Sequence, residues 1–300
     1  MGDQLRPSTP GAAILASLAC LASPAVSPAQ QSATTTPGLL IVAHGADSVW
    51  NARVSEVVSQ VNWSGPVELA FLMGDAALSG QGWNEALGRI EASGVERVVV
   101  VPLMVSTHGS HTRQIAHYAG VSDAFPSELA GHEHGPVIHP RIDATVTPAL
   151  DASPELGTIL FDRWRAMSDT DRSRPLMLVA HGPVDDTDAA HWVRELRSAT
   201  RELSDSVGTA RVRIGLLRDD APPARRAQAV AAIRDTISSL AARDNDDVLV
   251  MTVLISSSGL DRVRVPADLA GTPMRYAGVV LSPHPVLARW IERVASEAAR

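Results

Sequence analysis

Three observations predict an α/β protein made of two copies of one parallel-sheet unit. The first is residues 38–45, GLLIVAHG, an apolar run that ends abruptly in His-Gly. Four or more consecutive apolar residues bounded by turn signals read as a strand buried on both faces. The second is the return of the phrase at residues 175–182, PLMLVAHG. The third is the alternation of strand and helix patterns, four times in the first half, with four strands and three helices repeating it in the second. Such alternation gives a parallel sheet with helices on both faces, because right-handed crossovers put them there.

The first unit, residues 38–168, reads in order as follows. After the strand that ends at His44, residues 47–62 carry valines near helical spacing, with Asp47 or Ser48 to cap the start. Residues 67–73, VELAFLM, form the second strand, and 81–93 a helix with Trp83, Leu87 and Ile90 on one face. Residues 96–106, ERVVVVPLMVS, hold the strongest strand signal. Thr107-His108-Gly109-Ser110-His111 follows at once, leading into a short helix through His117 and Tyr118. A loop bearing His132, Glu133, His134 and His139 precedes a fourth strand at 142–150 and a closing helix at 154–167.

After a polar linker at 169–174, the second unit spans residues 175–300. Strands are expected at 175–180, 210–218, 247–256 and 274–282, and helices at 186–206, 223–243 and 285–299. DVLVMTVLIS in the second unit occupies the place of VVVVPLMVS in the first. On that offset His108 is answered by Ser258 and His111 by Asp261.

The first 37 residues read as a secretory leader and linker. Arg6 supplies the positive region, residues 11–22 a short alanine-rich apolar stretch, and Ser27-Pro28-Ala29 a small-x-small cleavage site. The mature protein is therefore expected outside the cytoplasm. Ser17-Leu18-Ala19-Cys20 resembles a lipoprotein box, but Ser17 stands where an aliphatic residue is usual, so anchoring at Cys20 is the second choice.

Composition narrows the function classes. Three hundred residues with a 45% hydrophobic share suffice for two cores. A net charge of −7 and no basic stripe argue against nucleic-acid binding. No apolar run reaches the roughly 18 residues of a spanning helix. A single cysteine excludes both a disulfide framework and a thiolate metal site.

What remains is histidine chemistry at the carboxyl ends of parallel strands, where open α/β sheets bind ligands. There the first unit gathers His44, His108 or His111, and Asp75. Neutral imidazole is the commonest nitrogen ligand of divalent first-row metals and also takes up protons near neutral pH. A site that needs both a metal and a proton acceptor has this composition. The second unit keeps His181 but has lost the later histidine, so its site is expected to be degenerate, with His181 structural or a wall of the cleft. The histidine-rich loop, with His117, is a candidate for metal delivery or a plain solvated loop.

LLIVAHGAD, VVVVPLMVSTHGSHTRQI and TPALDASPELGTIL, with LMLVAHGPVDD, VLVMTVLISSSG and LSPHPVLARWI in the second unit, carry a resemblance. They are similar to the sirohydrochlorin cobaltochelatase and ferrochelatase family, the class II chelatases of the CbiX/SirB group. The resemblance runs from Gly38 to Arg300. It implies two tandem flavodoxin-like (chelatase-type) domains facing a cleft that takes a tetrapyrrole, and a lyase that inserts cobalt or iron into it, with nickel as a further metal. The metal is substrate, and no organic cofactor is implied.

The family's two metal-holding and proton-removing histidines carry over as His44 and as His108 or His111, with His108 favoured for its nearness to the strand. Asp75 lies near the family's acidic residue after strand two, although FLMGDA replaces the commoner Phe-Leu-Glu pattern. Arg113 and Arg262 are the candidates for the carboxylates of the substrate. Duplication within one chain makes a monomer the expected state.

Two other readings compete. An exported metal or tetrapyrrole carrier would use the same scaffold without turnover. A hydrolase would want a G-x-S-x-G elbow, which is absent, and a histidine phosphatase an Arg before His-Gly, where this chain has Ala43 and Ala180.

Overall fold

In the computed structural model, which describes residues 36–130 and 136–300, β1 (Gly38–Ala43) is buried at every position. It pairs in parallel with β2 (Val67–Phe71) on one side and β3 (Arg97–Pro102) on the other; β4 (Asp143–Val146) extends the sheet beyond β3. The strand order is β2-β1-β3-β4. The second half repeats it as β6-β5-β7-β8, from β5 (Leu176–Ala180), β6 (Val212–Leu216), β7 (Val248–Val253) and β8 (Met274–Tyr276). The predicted pair of four-stranded parallel sheets is therefore present. The predicted leader, with Cys20, and His132, Glu133 and His134 lie outside the described residues.

The helices of the first half are α1 (Ser48–Val58), α2 (Trp83–Ala92), α3 (Ser110–Tyr118) and α4 (Pro154–Arg165). Those of the second are α6 (Asp186–Ala199), α7 (Arg201–Val207), α8 (Pro223–Asp244), α9 (Val265–Asp268) and α10 (Pro285–Ala298). Caps follow sequence chemistry: Asp47, Ser153 and Asp185 accept from the first turns of α1, α4 and α6. No helix among the described residues is long and apolar enough to cross a membrane.

Three elements differ from expectation. The polar linker contains a helical turn, α5 (Asp169–Arg172), because the Ser168 hydroxyl accepts from Asp171 N at 3.1 Å. The helix expected over 186–206 breaks at Thr200, which is buried at φ −95°, ψ 20° and donates its hydroxyl to Leu196 O at 2.6 Å. The strands expected over 142–150 and 274–282 are edge strands and pair only through Val146 and Tyr276; the chain beyond them runs on as loop.

Each half has its own outer core, but the inner one is shared. Leu39, Ile41 and Ala43 from β1 and Leu178 and Ala180 from β5 belong to one buried cluster with Trp290 of α10. The closing helices make it so. α10, the last helix of the second half, packs on β3 and α1 of the first, and α4 packs on α6 and α7. Gly157 of α4 permits that approach, since a Cβ there would stand 2.1 Å from Ala199 O. Arg293 of α10 fixes the crossing with two bonds, 2.6 and 2.8 Å, to Glu155 of α4. The described residues fall in one compact unit, and the strand ends of both sheets look into one cleft.

Candidate functional site

The cleft has a volume of about 320 Å³, at the small end of the range for small-molecule sites, and residues of both halves line it. His44 enters one residue past β1. Gly45 next to it sits at φ +85°, and a Cβ there would meet Met73 O at 2.2 Å, so the turn demands glycine. That turn brings Gly45 O to 2.7 Å from His44 Nδ1. The carbonyl can only accept, so Nδ1 carries the proton and Nε2 is the basic nitrogen. The second copy of the phrase builds the same device: Gly182 is at φ +73°, and its carbonyl lies 2.9 Å from His181 Nδ1. The His-Gly pair is thus a local unit that fixes an imidazole tautomer, which is what metal-binding histidines require.

His111, in the first turn of α3, reaches the same place. Its ring stands edge-on to that of His44 with centroids 4.6 Å apart. His111 Nδ1 lies 3.0 Å from Gln114 Oε1, and Gln114 Nε2 in turn donates to Tyr118 Oη at 2.9 Å. The amide oxygen accepts from Nδ1, so Nε2 is again the basic nitrogen. Burial foremost, then His111, pushes the His44 pKa down from 6.5 to about 4. His44 is therefore neutral at physiological pH, as a metal ligand must be.

The other predicted residues lie elsewhere. The side chain of His108 turns away to α6, where Nε2 is 3.1 Å from Glu195 Oε1 and its ring stacks on His191 with centroids 3.9 Å apart. His108, His191 and Glu195 offer ligand atoms within 4.8 Å of one another. Yet the stacked rings, 18° from parallel, aim their in-plane lone pairs along separate planes. His191 Nδ1 already accepts from Arg194 at 2.7 Å, and the Ser106 hydroxyl donates to Glu195 at 2.7 Å. As it stands, the cluster joins the halves. Asp75 is exposed past β2 and does not line the cleft.

Arg113 and Arg262 make matching bridges between the halves. Arg113 donates to Asp188 of the second half at 2.7 Å, with Glu128 at 3.1 Å; Arg262 donates to Asp47 of the first half at 2.7 Å. His117, in the last turn of α3, has Nδ1 3.1 Å from Ser122 O, and His139 of the histidine-rich loop has Nδ1 3.2 Å from Tyr118 O, so both rings are tied to backbone.

Asp261, at the place of His111 in the repeat, is buried. It accepts from the Ser257 hydroxyl at 2.8 Å and from Ser258 N at 2.5 Å, which turns it into its own loop. Sequence reasoning missed Asp220. Leu216 pairs with Ala180 as Phe71 pairs with Ala43, and Arg218 N bonds His181 O as Met73 N bonds His44 O. Asp220 is therefore the counterpart of Asp75, but unlike Asp75 it lines the cleft, with Oδ2 at 3.7 Å from His181 Nε2. Laying the second strands of the two units over each other would have found it.

Residues 38–167 match the family model CbiX. Among solved structures, the chain is similar to SirB from Bacillus subtilis with Fe3+, with a TM-score of 0.58 and 14% identity over 88% of this chain and 96% of that one. It is also similar to the sirohydrochlorin chelatase SirB from Bacillus subtilis subspecies spizizenii in complex with cobalt, with a TM-score of 0.53 and 12% identity over 88% and 95%. At such identities the likeness establishes the fold. No curated protein matches the chain. Residues 38–167 are thus similar to the CbiX family, and the chain as a whole has the fold seen in the SirB chelatase structures.

Proposed function

We propose that this protein is a metal chelatase that inserts a divalent ion, cobalt or iron, into a tetrapyrrole of the sirohydrochlorin class. The observation that carries the reading is the His44–His111 pair: two imidazoles, each with Nδ1 against a carbonyl oxygen, meeting at the wall of one cleft. Two ligands hold an ion without enclosing it, so positions stay open for pyrrole nitrogens. A closed four-ligand site would keep the metal. His111 takes the second ligand role in place of His108, which faces α6.

Insertion also needs anchors for the acidic periphery of the substrate. In the proposal Arg113 and Arg262 at the seam serve by exchanging Asp188 and Asp47 for substrate carboxylates. The protein acts as a monomer outside the cytoplasm, with residues 38–168 carrying the metal pair, 175–300 the degenerate copy, and 1–37 directing export. Solution mass and cell fractionation test those parts.

The central test follows the absorbance of sirohydrochlorin with Co²⁺, Fe²⁺ or Ni²⁺ and the full chain. Turnover above the spontaneous rate, lost in His44→Ala and His111→Ala and kept in His108→Ala, supports the reading. Stoichiometric metal binding through both histidines without turnover would make the protein a carrier.

A further inference from the structure

Resting on the chelatase reading, we propose that His181 and Asp220 of the second half form the proton-accepting dyad of the reaction, facing the His44–His111 metal pair across the cleft. The two VAHG phrases give two imidazoles with the same tautomer, Nδ1–H on the following glycine carbonyl and Nε2 basic. What surrounds each Nε2 differs. The ring of His44 is enclosed beside a second imidazole, a setting that disfavours a proton and leaves the lone pair for a metal ion. Nε2 of His181 instead looks at a carboxylate, Asp220 Oδ2, 3.7 Å away.

Two acceptors at that distance have nothing to share until a proton arrives. Once Nε2 is protonated, the contact becomes an ion pair, which places a proton relay beside the base. Asp220 is available for this because no arginine pairs with it among the described residues. Its neighbour Asp219 is taken by Arg226 at 2.7 Å and by Arg264 at 2.5 Å. The Asp220 side chain is also 54% exposed, open enough to return protons to water. All four groups belong to one site: His44, His111, His181 and Asp220 line the cleft, and His181 and Asp220 both act electrostatically on His44.

The chemistry balances. Insertion breaks two pyrrole N–H bonds, and the electron pairs left on nitrogen become two nitrogen–metal bonds. Two protons leave as one doubly charged ion enters, with no change of oxidation state. The first proton goes to His181 Nε2 and passes by way of the Asp220 carboxylate to solvent. The imidazole, neutral again, takes the second. This division also accounts for the buried Asp261 where the first half has His111: a half that removes protons needs a base and an acid, not a second metal ligand.

The test uses the full chain with Co²⁺ and sirohydrochlorin. Cobalt binding, read from visible absorption in the absence of tetrapyrrole, is expected to be unchanged in His181→Ala, His181→Gly and Asp220→Asn. Insertion is expected to fall by about 100-fold or more in both His181 variants, the scale of a lost general base. It is expected to fall less in Asp220→Asn and to recover in His181→Gly on adding imidazole. Wild-type insertion rates in His181→Ala would overturn the dyad and leave the chelatase reading standing. Loss of cobalt binding in His181→Ala, or no recovery with imidazole, would make His181 a ligand or a wall and overturn the dyad. No insertion by the wild-type chain would overturn both readings.

Discussion

Acidification should unfold the metal-free protein through His44, by an amount that the site sets. In the folded chain burial and His111 hold its pKa at about 4, against 6.5 when unfolded. The folded state therefore binds the proton less readily than the unfolded state. Stability owed to this group is complete above pH 6.5, falls as the pH drops through the interval, and is fully lost below pH 4. At 1.36 kcal/mol per unit, the loss is about 2 kcal/mol at pH 5 and about 3.4 kcal/mol well below pH 4. Many groups titrate over that range, His284 among them, whose pKa burial also lowers. The informative quantity is thus the difference between wild type and His44→Asn, measured by urea denaturation from pH 7 to pH 4. The two curves should converge on acidification, wild type losing about 2 kcal/mol more than the variant by pH 5. A difference that does not change with pH would show that His44 titrates normally and would refute the enclosed, proton-free ligand. An imidazole NMR titration of His44 in the intact protein gives the same answer without a variant.

Further outcomes follow from the packing. Trp290→Ala should cost about 3–5 kcal/mol, and because Trp290 sits in the core shared by both sheets, both halves should unfold in one calorimetric transition. Gly157→Ala puts a Cβ 2.1 Å from Ala199 O and should cost several kcal/mol in denaturant melts. Gly88→Ala, inside α2 with nothing within 4 Å, should stabilise by about 0.5–1 kcal/mol. Asp47→Ala removes both the cap on Trp50 N and the bridge to Arg262; about 1 kcal/mol is expected from the cap and little from the half-exposed bridge.

The fold was legible because its signal is local and repeated. Burial on both faces makes β1, β3, β5 and β7 into apolar runs that no other element imitates, and the double VAHG phrase announced the duplication. His44 was legible for the same reason, standing at a strand end next to a glycine that the turn requires. The choice between His108 and His111 was not. Nearness to the strand favours His108, but direction is set by the turn into α3, which sends His111 into the cleft and His108 toward α6, a partner from the other half. The single unit 186–206 failed similarly, since the break at Thr200 depends on a buried hydroxyl and not on periodicity.

The helix exchange fixes how the two halves face each other. With α10 on the first sheet and α4 against the helices of the second, the halves cannot slide apart without opening their common core. Their equivalent edges are held face to face, joined on one side by Ser106–Glu195 and Arg113–Asp188 and on the other by Ser256–Trp50 and Arg262–Asp47. A flat substrate in such a cleft presents one face to each half. Residues at equivalent positions of the repeat would then meet opposite faces of one molecule and have no reason to keep one role. His44 gains an imidazole neighbour and His181 a carboxylate; the acid past the second strand is exposed as Asp75 in one half and lines the cleft as Asp220 in the other. In the proposed reaction, that difference lets one half hold the metal while the other takes the protons.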